Sequence, residues 1–600
     1  MISHAAHAPG FVLSVRFAGG AEPEQRVRAT VDAIAQSLSA NTRFDIDVVR
    51  DSHLVCAVGV DATAHPTRAD VWSDEYALTA VHGYVTNLPA ETTGKDNAAS
   101  RVSRVYQQRG TAGIESLDGA FVIAILDRAD RTLTLWSDCV GGRPMFLAEI
   151  PDGVAVGPEL KCFMGLPGVQ QDLVPGSLAS MALNASLLGR HTYIKGVEFI
   201  GPARRVSVSR DGLRSHQYWS RQFACAESAP SPSVETVGEI LVRSIARRAA
   251  AFERPILALS GGLDSRLILA AANEAGLELP CVTWGYDHID ADGSDYRVAD
   301  EAARIEGTSH RTRRIDVDQL PLHAARVVHL TDGLTGHLGH FPEGDTVARE
   351  LSADHDAILF GDESFGWGKS VHSTAAALSE VGVHGGSRLR LLRFLLNKDV
   401  AQRVLNDYDN QTESLLSSLD PSACPNDVVD ILYWQNRYPR FLTSVSPVYD
   451  RHLACVSPLM DREILDFTAQ IPPVMRIRKR YMAQCVRRRF PHQFSIPLNN
   501  VHSRTDWRRR LSELGPTPRY MVETLLEPDV RFDEWFDRDA MQAWLGMLTA
   551  SGRSGAWASG ASWWTRVTHR ARARLLRPVS RTRMIVSLLV LKLWFHAFRR

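Results

Sequence analysis

The stretch that decides the fold of the second half of this chain is Ile256-Leu257-Ala258-Leu259-Ser260-Gly261-Gly262-Leu263-Asp264-Ser265-Arg266. The four apolar residues at 256–259 predict a buried strand, the two glycines predict a turn, and residues 266–275 predict a helix. A second buried strand is predicted at residues 281–284. Because a strand, a helix and a strand in this order pack as a parallel unit, the sequence predicts a parallel sheet in this half.

The turn at residues 260–265 has the properties of an anion site. Gly261 and Gly262 carry no Cβ, so the backbone can approach a ligand closely. The unpaired N–H groups at the start of the next helix attract an anion such as pyrophosphate, and the hydroxyls of Ser260 and Ser265 can add hydrogen bonds. The turn is neither a Walker A motif nor a dinucleotide-binding loop. The alternative is an ordinary strand-to-helix turn with an aspartate cap.

A second glycine-rich turn carries adjacent acids, in the run Leu359-Phe360-Gly361-Asp362-Glu363-Ser364-Phe365-Gly366. An aspartate beside phosphate groups is useful when Mg²⁺ bridges them, because this ion prefers oxygen ligands and one or two carboxylates. We therefore predict Asp264 and Asp362 as magnesium ligands. The alternative for the second turn is a loop of solvated acids.

A basic run follows later, at Arg476-Ile477-Arg478-Lys479-Arg480-Tyr481. A cation from this run could neutralise charge on a triphosphate and on the pyrophosphate that leaves. For each single residue, a solvated surface charge is an equally good interpretation.

Length and composition indicate a multidomain protein with a small-molecule or peptide partner. The chain has 600 residues, 44% of them hydrophobic, so we expect two or three domains. Lysine plus arginine (68) equals aspartate plus glutamate (68), which argues against binding to nucleic acid. The eight cysteines form no Cys-x-x-Cys pair, which argues against zinc and disulfides. The amino terminus has no secretory signal, so we expect a cytoplasmic protein.

A linker is predicted to separate a sheet-rich first half from the second half of the chain. Short β-like runs at residues 11–15, 121–126 and 133–136 predict a sheet-rich first half. Residues 225–234 have no apolar period and contain two prolines and three serines, so we place a boundary there. The expected domains are residues 1–224, residues 235–510, and a helical C-terminal extension at 511–600.

The C-terminal tail combines arginines at 566–583 with an apolar run at 584–598. The apolar run is shorter than the roughly 20 residues that cross a bilayer. We expect a terminal helix docked on the protein. The alternative is a peripheral membrane contact, in which a basic helix lies on an anionic surface through Leu588, Leu589, Leu591, Trp594 and Phe598.

In order and spacing, these motifs resemble the asparagine synthetase B superfamily over roughly residues 75–500. The turn at Ser260 is the family signature. Similar second-half segments are Gly285-Tyr286, Ser294-Asp295-Tyr296 and Ser457-Pro458-Leu459-Met460-Asp461. Segments that resemble the family's glutaminase domain are His82-Gly83-Tyr84, Leu117-Asp118-Gly119, Gly142-Arg143-Pro144 and Glu159-Leu160-Lys161.

The resemblance implies an α/β fold: an Ntn-hydrolase-like α+β sandwich, then a parallel-sheet ATP-pyrophosphatase domain (adenine nucleotide alpha hydrolase-like) with a helical C-terminal region. It also implies an ATP- and Mg²⁺-dependent ligase that activates a carboxylate as an acyl-adenylate and releases pyrophosphate. Glu363 would be a possible proton acceptor and Lys479 the cation on the phosphates, with Arg480 as the alternative. The residues expected to contact the nucleotide are Leu259, Ser260, Gly261, Gly262, Asp264, Ser265 and Gly361.

Two departures from the family change the expected reaction. Its glutaminases have a catalytic cysteine directly after the initiator methionine, where this chain has Ile2, and the nearest cysteine is Cys56. We therefore expect an inactive glutaminase-like domain. The glutamate that precedes the family's Asp-Glu pair is missing before Asp362, so the product need not be asparagine.

Several functions are compatible with these departures. A lasso-peptide cyclase or a β-lactam-synthetase-like enzyme would close an internal amide without ammonia. An amidotransferase-like enzyme of a surface-polysaccharide cluster would use another amine. A catalytically retired scaffold that binds a nucleotide and a partner is the alternative from a different class.

Overall fold

The computed structural model describes residues 10–17, 21–38, 44–50, 52–61, 69–90, 96–223, 233–286, 289–336, 338, 343–420, 423–501, 507–550 and 581–598. In this part of the chain, the strands form two antiparallel sheets in the first half and one parallel sheet in the second half. The α/β fold class predicted from the sequence is confirmed.

Each antiparallel sheet has six strands. The first has the order β10-β8-β9-β1-β3-β2, and the second has the order β12-β11-β7-β6-β5-β4. The twelve strands are β1 (Phe11–Arg16), β2 (Phe44–Arg50), β3 (Val55–Asp61), β4 (Asp70–Ser73), β5 (Ala77–Val85), β6 (Gly119–Asp127), β7 (Thr132–Ser137), β8 (Phe146–Ile150), β9 (Gly153–Gly157), β10 (Val197–Phe199), β11 (Arg204–Ser209) and β12 (Gly212–Gln217).

The two antiparallel sheets pack face to face as a sandwich. Leu13 and Val58 of the first sheet share one apolar core with Val122 and Leu135 of the second. Successive side chains of a strand point to opposite faces, and central strands such as β1 and β6 are buried along nearly their whole length, so the other face of each sheet is also covered. Helix α1 (Ala21–Leu38) covers the first sheet and helix α2 (Ala98–Glu115) covers the second.

The parallel sheet has five strands in the order β15-β14-β13-β16-β17. They are β13 (Pro255–Ala258), β14 (Cys281–Gly285), β15 (His310–Arg314), β16 (Ala357–Leu359) and β17 (Ala454–Val456). The neighbours β13 and β16 pair in register from Pro255 with Ala357 to Leu257 with Leu359. The carboxyl ends of both strands therefore lie at one edge, where the two glycine-rich turns follow.

Helices surround the parallel sheet and form most of the chain beyond it. After α3 (Pro175–Asn184) in the first half, they are α4 (Val234–Ala249), α5 (Leu263–Glu274), α6 (Asp295–Glu306), α7 (Leu320–Leu330), α8 (Gly344–Leu351), α9 (Thr374–Glu380), α10 (Ser387–Leu395), α11 (Lys398–Ser417), α12 (Pro425–Leu432), α13 (Ser446–Tyr449), α14 (Arg462–Ala469), α15 (Pro473–Arg476), α16 (Arg480–Arg489), α17 (Trp507–Glu513), α18 (Pro516–Leu526), α19 (Val530–Asp533), α20 (Arg538–Ala550) and α21 (Arg581–Phe598). A π-helix spans Tyr433–Leu442.

The predicted helix after the signature turn begins three residues earlier than expected. Helix α5 starts at Leu263, so Asp264 and Ser265 lie in its first turn. The predicted linker at 225–234 lies almost wholly outside the described residues, as does Ile2. Helix α17 runs through the predicted limit at residue 510. The three domain ranges remain a prediction.

The C-terminal helix α21 is docked in the protein. It contacts α3, α7, α18 and α19. Four of the five side chains that a membrane contact would need, Leu588, Leu589, Leu591 and Trp594, are buried. Its apolar residues lie on several faces, which suits a helix that packs against the protein on more than one side. The peripheral membrane contact stays a prediction. The arginines up to residue 580 lie outside the described residues. Among the described helices, none combines the length and hydrophobicity needed to span a membrane.

Candidate active site

The signature turn connects β13 to α5 at the carboxyl edge of the parallel sheet. Its two serines bond to each other: the backbone N–H of Ser260 donates to Ser265 Oγ at 2.9 Å, and the two Oγ atoms are also 2.9 Å apart. The N–H of Gly262 donates to Ser260 Oγ at 3.3 Å. The serines therefore set the shape of the turn at the positive end of α5. Leu259 is buried beneath it.

The glycines are required because other chain segments lie against the turn. A Cβ on Gly261 would be 2.6 Å from the Cβ of Asn499 and 2.9 Å from the Cβ of Val298. A Cβ on Gly361 would be 3.1 Å from the backbone nitrogen of Ser265. A side chain at Gly261 would clash with the segments that carry Asn499 and Val298, and one at Gly361 would press the acidic turn against the signature turn.

Lys479 joins the two turns that the sequence predicted to cooperate. Its Nζ lies 2.7 Å from Asp264 Oδ2 and 2.6 Å from Glu363 Oε1. All three side chains remain partly exposed: 27% for Lys479, 22% for Asp264 and 13% for Glu363. The site thus combines an anion-binding turn, two carboxylates and one cation within reach of solvent.

Burial, and after it the excess of acids over cations, raises the pKa values of the carboxyl groups at this site. Burial, with a contribution from Glu363, raises the pKa of Asp264 to about 7 although Lys479 opposes the shift. Burial raises the pKa of Asp362 to about 6, while the Ser457 hydroxyl, 3.3 Å away, favours its ionised form. Burial opposes the charge of Lys479, but Glu363 and Asp264 outweigh burial and raise its pKa. Lys479 is therefore charged, and the carboxylates have an unmet need for positive charge.

These residues fit a magnesium ion that binds together with substrate phosphates. Asp264 Oδ1 is buried and makes no hydrogen bond in the structure, although its partner oxygen binds Lys479. Within the described residues, no group of three or more His, Cys, Asp or Glu side chains could hold a metal alone. Magnesium often takes only one or two carboxylates and completes its shell with water and phosphate oxygens. Asp264 and Asp362 thus remain the candidates.

The backbone before α16 places Lys479 in the site. Arg478 and Lys479 both have left-handed conformations, with φ of 57° and 53°. Such conformations cost about 1 kcal/mol or more per residue outside glycine and tend to occur at functional sites. The neighbouring cations point elsewhere, because Arg480 is exposed and Arg476 is buried against Asp427 and Asp430. The sequence contained no signal for this strained turn.

Two tyrosines near this edge of the sheet were not predicted as catalytic or ligand-binding residues, although Tyr286 lies in a segment that resembles the family. The hydroxyl of Tyr286, which follows β14 at the same sheet edge, is buried without a hydrogen-bond partner in the structure. Tyr433, at the start of the π-helix, packs edge-on against Trp367 with 5.3 Å between ring centroids. Acidic side chains at the site, Glu363 foremost, contribute to the raised pKa of Tyr433, after burial. Tyr433 therefore lies near the carboxylates, whereas Tyr286 is placed only at the same edge of the sheet.

Arg221 supports the acidic turn from the first half of the chain. Its guanidinium donates to the hydroxyl of Ser364 and, at 2.9 Å, to Thr468 Oγ1. Burial and the neighbouring Arg476 lower the pKa of Arg221 to about 9. Ser364 directly follows Glu363 in the sequence. Arg221, a residue of the first half, therefore holds the chain beside this acid, and both halves contribute to the acidic turn.

Comparisons with known proteins match both halves. Residues 95–219 match the glutamine amidotransferase domain and residues 236–405 match asparagine synthase. Asparagine synthetase [glutamine-hydrolyzing] 3 of Bacillus subtilis is 24% identical over 371 residues, which cover 56% of this chain and 60% of that protein. The chain belongs to the asparagine synthetase superfamily.

Other members of the asparagine synthetase superfamily match over shorter regions. A putative asparagine synthetase of Mycobacterium bovis is 25% identical over 272 residues, 44% of this chain and 41% of that protein. The carboxyethyl-arginine beta-lactam-synthase of Streptomyces clavuligerus is 23% identical over 318 residues, 52% of this chain and 58% of that protein. The chain spans at most 60% of the length of these curated relatives.

Solved structures resemble the chain only weakly. An allosteric regulatory enzyme of purine biosynthesis has 12% identity and a TM-score of 0.25, covering 51% of this chain and 80% of that chain. A glutamine-dependent NAD+ synthetase from Acinetobacter baumannii has 14% identity and a TM-score of 0.18, and the match covers 44% of this chain and 64% of that chain.

In this member of the superfamily, the described first half contains three cysteines: Cys56, Cys139 and Cys162. All three are buried and free. Burial raises the pKa of the Cys56 thiol to about 12 and raises the pKa values of the other two as well. A catalytic cysteine must form a thiolate that substrate can reach, so these three lack the properties of a nucleophile.

The glutaminase-like motif residues instead bind the second half. Arg248 of α4 is buried between Asp118 and Asp461, with nitrogen–oxygen distances of 2.9 and 3.2 Å. Glu159 pairs with both Lys161 and Arg451. Lys161 Nζ also lies 2.9 Å from Asp332. Charged residues of segments that resemble the glutaminase domain therefore hold the two halves together.

Proposed function

We propose that this protein is an ATP-dependent amide-forming ligase of the asparagine synthetase type. The observation that carries the proposal is the pair of contacts by which Lys479 joins Asp264 of the signature turn to Glu363 of the acidic turn. A lysine held between two acids at a helix N-terminus is suited to the phosphates of a nucleotide. The superfamily relationship supports the same assignment.

The reaction would have two steps. A carboxylate oxygen of the substrate attacks the α-phosphorus of ATP, which forms an acyl-adenylate and breaks the bond to pyrophosphate. An amine nitrogen then attacks the acyl carbon, AMP leaves, and the nitrogen loses a proton. The turn at residues 260–265 would hold the departing pyrophosphate, and Lys479 would offset its charge. Positioning both reactants supplies much of the rate increase.

Magnesium, held by Asp264 and Asp362 with the phosphates, would neutralise negative charge on the nucleotide. Glu363 is the candidate to accept the proton of the amine, because it is partly exposed beside the other two acids. Its pairing with Lys479 would have to loosen once phosphates attract the lysine.

We further propose that the amine does not come from glutamine hydrolysis by this chain. The three buried cysteines of the described first half support this, because none offers a reachable thiolate. An internal amine is the favoured alternative source, since one relative is by its name a beta-lactam-synthase. A glutaminase assay tests the point: glutamate release that disappears in Cys56→Ser would contradict it.

The decisive experiment measures pyrophosphate release from ATP and Mg²⁺ with panels of carboxylates, with and without amines. The wild type should release pyrophosphate with at least one carboxylate, and Asp264→Asn should not. Glu274→Gln, at the exposed end of the same helix, is the matched control. Unchanged turnover in Asp264→Asn would refute the site. Binding of ATP without turnover on any carboxylate would favour the scaffold alternative.

A further inference from the structure

A cavity outside the candidate active site is lined by no residue of the signature turn or of the acidic turn. Its volume is about 450 Å³, within the range of sites for small organic molecules. One wall is the first-half segment that joins α3 to β11, and the other is formed by α11 and the π-helix. The cavity thus opens at the seam between the two halves of the chain.

Positive charge dominates the cavity wall. Arg190, Lys195 and Arg204 line it, against the single acid Glu198. Glu198 is already paired with Arg190 at 2.6 Å. Neither Arg204 nor Lys195 has a side-chain hydrogen bond or ion pair with any residue that the structure describes. His191, also in the wall, adds no charge near neutrality, because burial and then Arg440 lower its pKa.

A partly buried positive charge without a counter-charge is unfavourable in free energy, and the surroundings of Arg204 create this situation. Arg204 is half-buried, and burial followed by repulsion from Arg190 lowers its pKa. A guanidinium kept out of water and next to another one gains most from an added anion. Across the cavity, the amide of Gln435 and the hydroxyl of Ser414 also lack partners among the described residues, and both can donate hydrogen bonds.

The backbone keeps this space open. Gly189 and Gly196 have left-handed conformations, with φ of 51° and 79°, and a Cβ at either would meet nothing within 4 Å. The Gly189 N–H is bound by Asn436 Oδ1 of the π-helix at 2.8 Å, which fixes the distance between the two walls.

We propose that this cavity is a second small-molecule site, separate from the nucleotide site, and that it binds a small organic anion with at least two negative charges. Arg204 and Lys195 would bind the charged groups, and Gln435 and Ser414 would bind the polar remainder. Carboxylate and phosphate groups satisfy the same donors, so the probes must include both.

The test is calorimetric titration of the full chain with citrate, with glucose 6-phosphate and, as the neutral control, with glucose, without Mg²⁺ and at low ionic strength. At least one anion should bind one-to-one, and glucose should not. Arg204→Gln should weaken binding about tenfold or more, because it removes charge-assisted hydrogen bonds. Lys195→Gln, at an exposed position where folding is not at risk, should weaken it about threefold.

Two control variants distinguish this site from other anion sites. Arg214→Gln changes an exposed arginine on the nearby strand β12 and should leave the affinity unchanged. Lys479→Met should also leave it unchanged, since that lysine belongs to the nucleotide site. The proposal is overturned if neither anion binds, if both cavity variants bind as tightly as the wild type, or if Lys479→Met loses the binding. None of these results depends on whether the ligase activity exists.

Discussion

In the second half of the molecule, Asp264 and Glu363 share one cation, Lys479, and all three side chains are partly open to solvent. Where the first half meets the second, Glu159 contacts two cations, Lys161 and Arg451, and Lys161 also contacts a second acid, Asp332; each of these four side chains is at most 3% exposed. The Lys479 cluster therefore has more acids than cations, whereas the Glu159 cluster has equal numbers of acids and cations.

The difference teaches how to separate a reactive cluster from a structural one. An excess of partly exposed acid destabilises the protein by itself and attracts a cation and a substrate. A balanced buried cluster attracts nothing, but breaking it leaves a charge without a partner inside the protein. Changes in the Lys479 cluster should affect activity, and changes in the Glu159 cluster should affect stability.

The largest effect is expected from Lys479→Met. This change removes the one cation between the two turns while it keeps a side chain of similar length. Pyrophosphate release should fall by about 10²–10³-fold, as when one preorganised electrostatic contact is lost. The free energy of unfolding should change little, since the site is partly exposed. A stable variant with full activity would contradict the comparison.

The next effect is expected from Glu159→Gln, which leaves Lys161 and Arg451 without their shared partner. We expect the free energy of unfolding to fall by about 3–5 kcal/mol, the usual cost of breaking a buried ion pair. Urea denaturation measures it, followed on the first transition because a chain of this size need not unfold in one step. Glu301→Gln, which breaks an exposed pair with Arg304, should lower the free energy of unfolding far less than Glu159→Gln does.

A smaller effect is expected from pH. Asp264 has a pKa of about 7 in the folded protein, against about 3.9 in an unfolded chain. The folded state therefore binds this proton more tightly, and stability falls as pH rises from about 4 to about 7. Asp264→Asn should reduce the loss of stability between about pH 5 and pH 8 by ~1 kcal/mol or more.

The control for the pH experiment is Glu274→Gln on the same helix, where the carboxylate is exposed beside Arg489. It should keep the wild-type pH dependence. If Asp264→Asn and the wild type lost stability equally, the acid excess in the site would not be what the geometry indicates.

The smallest effect is expected from Arg480→Gln. The sequence left Lys479 and Arg480 as alternatives for the same role, but Arg480 is exposed and makes no contact with the two acids in the structure. Pyrophosphate release should stay within about twofold of the wild type, as for other surface charges. A loss as large as that of Lys479→Met would restore the alternative.

The sequence determined the secondary structure and its classes because these depend on short-range patterns. The apolar run before Ser260 and the short β-like runs of the first half are each visible within ten residues, so a parallel sheet and a sheet-rich half could be predicted. The predicted start of α5 was three residues too late, because the sequence pattern could not show that Asp264 and Ser265 already lie in the helix.

Only the tertiary structure decided how the charges are used. Lys479 lies 215 residues from Asp264 along the chain, and two left-handed residues turn it toward the turn at residues 260–265. Glu159 and Arg451 are 292 residues apart. Whether an acid stays open for chemistry or is neutralised depends on which distant cation folding brings to it, and no local pattern contains that information.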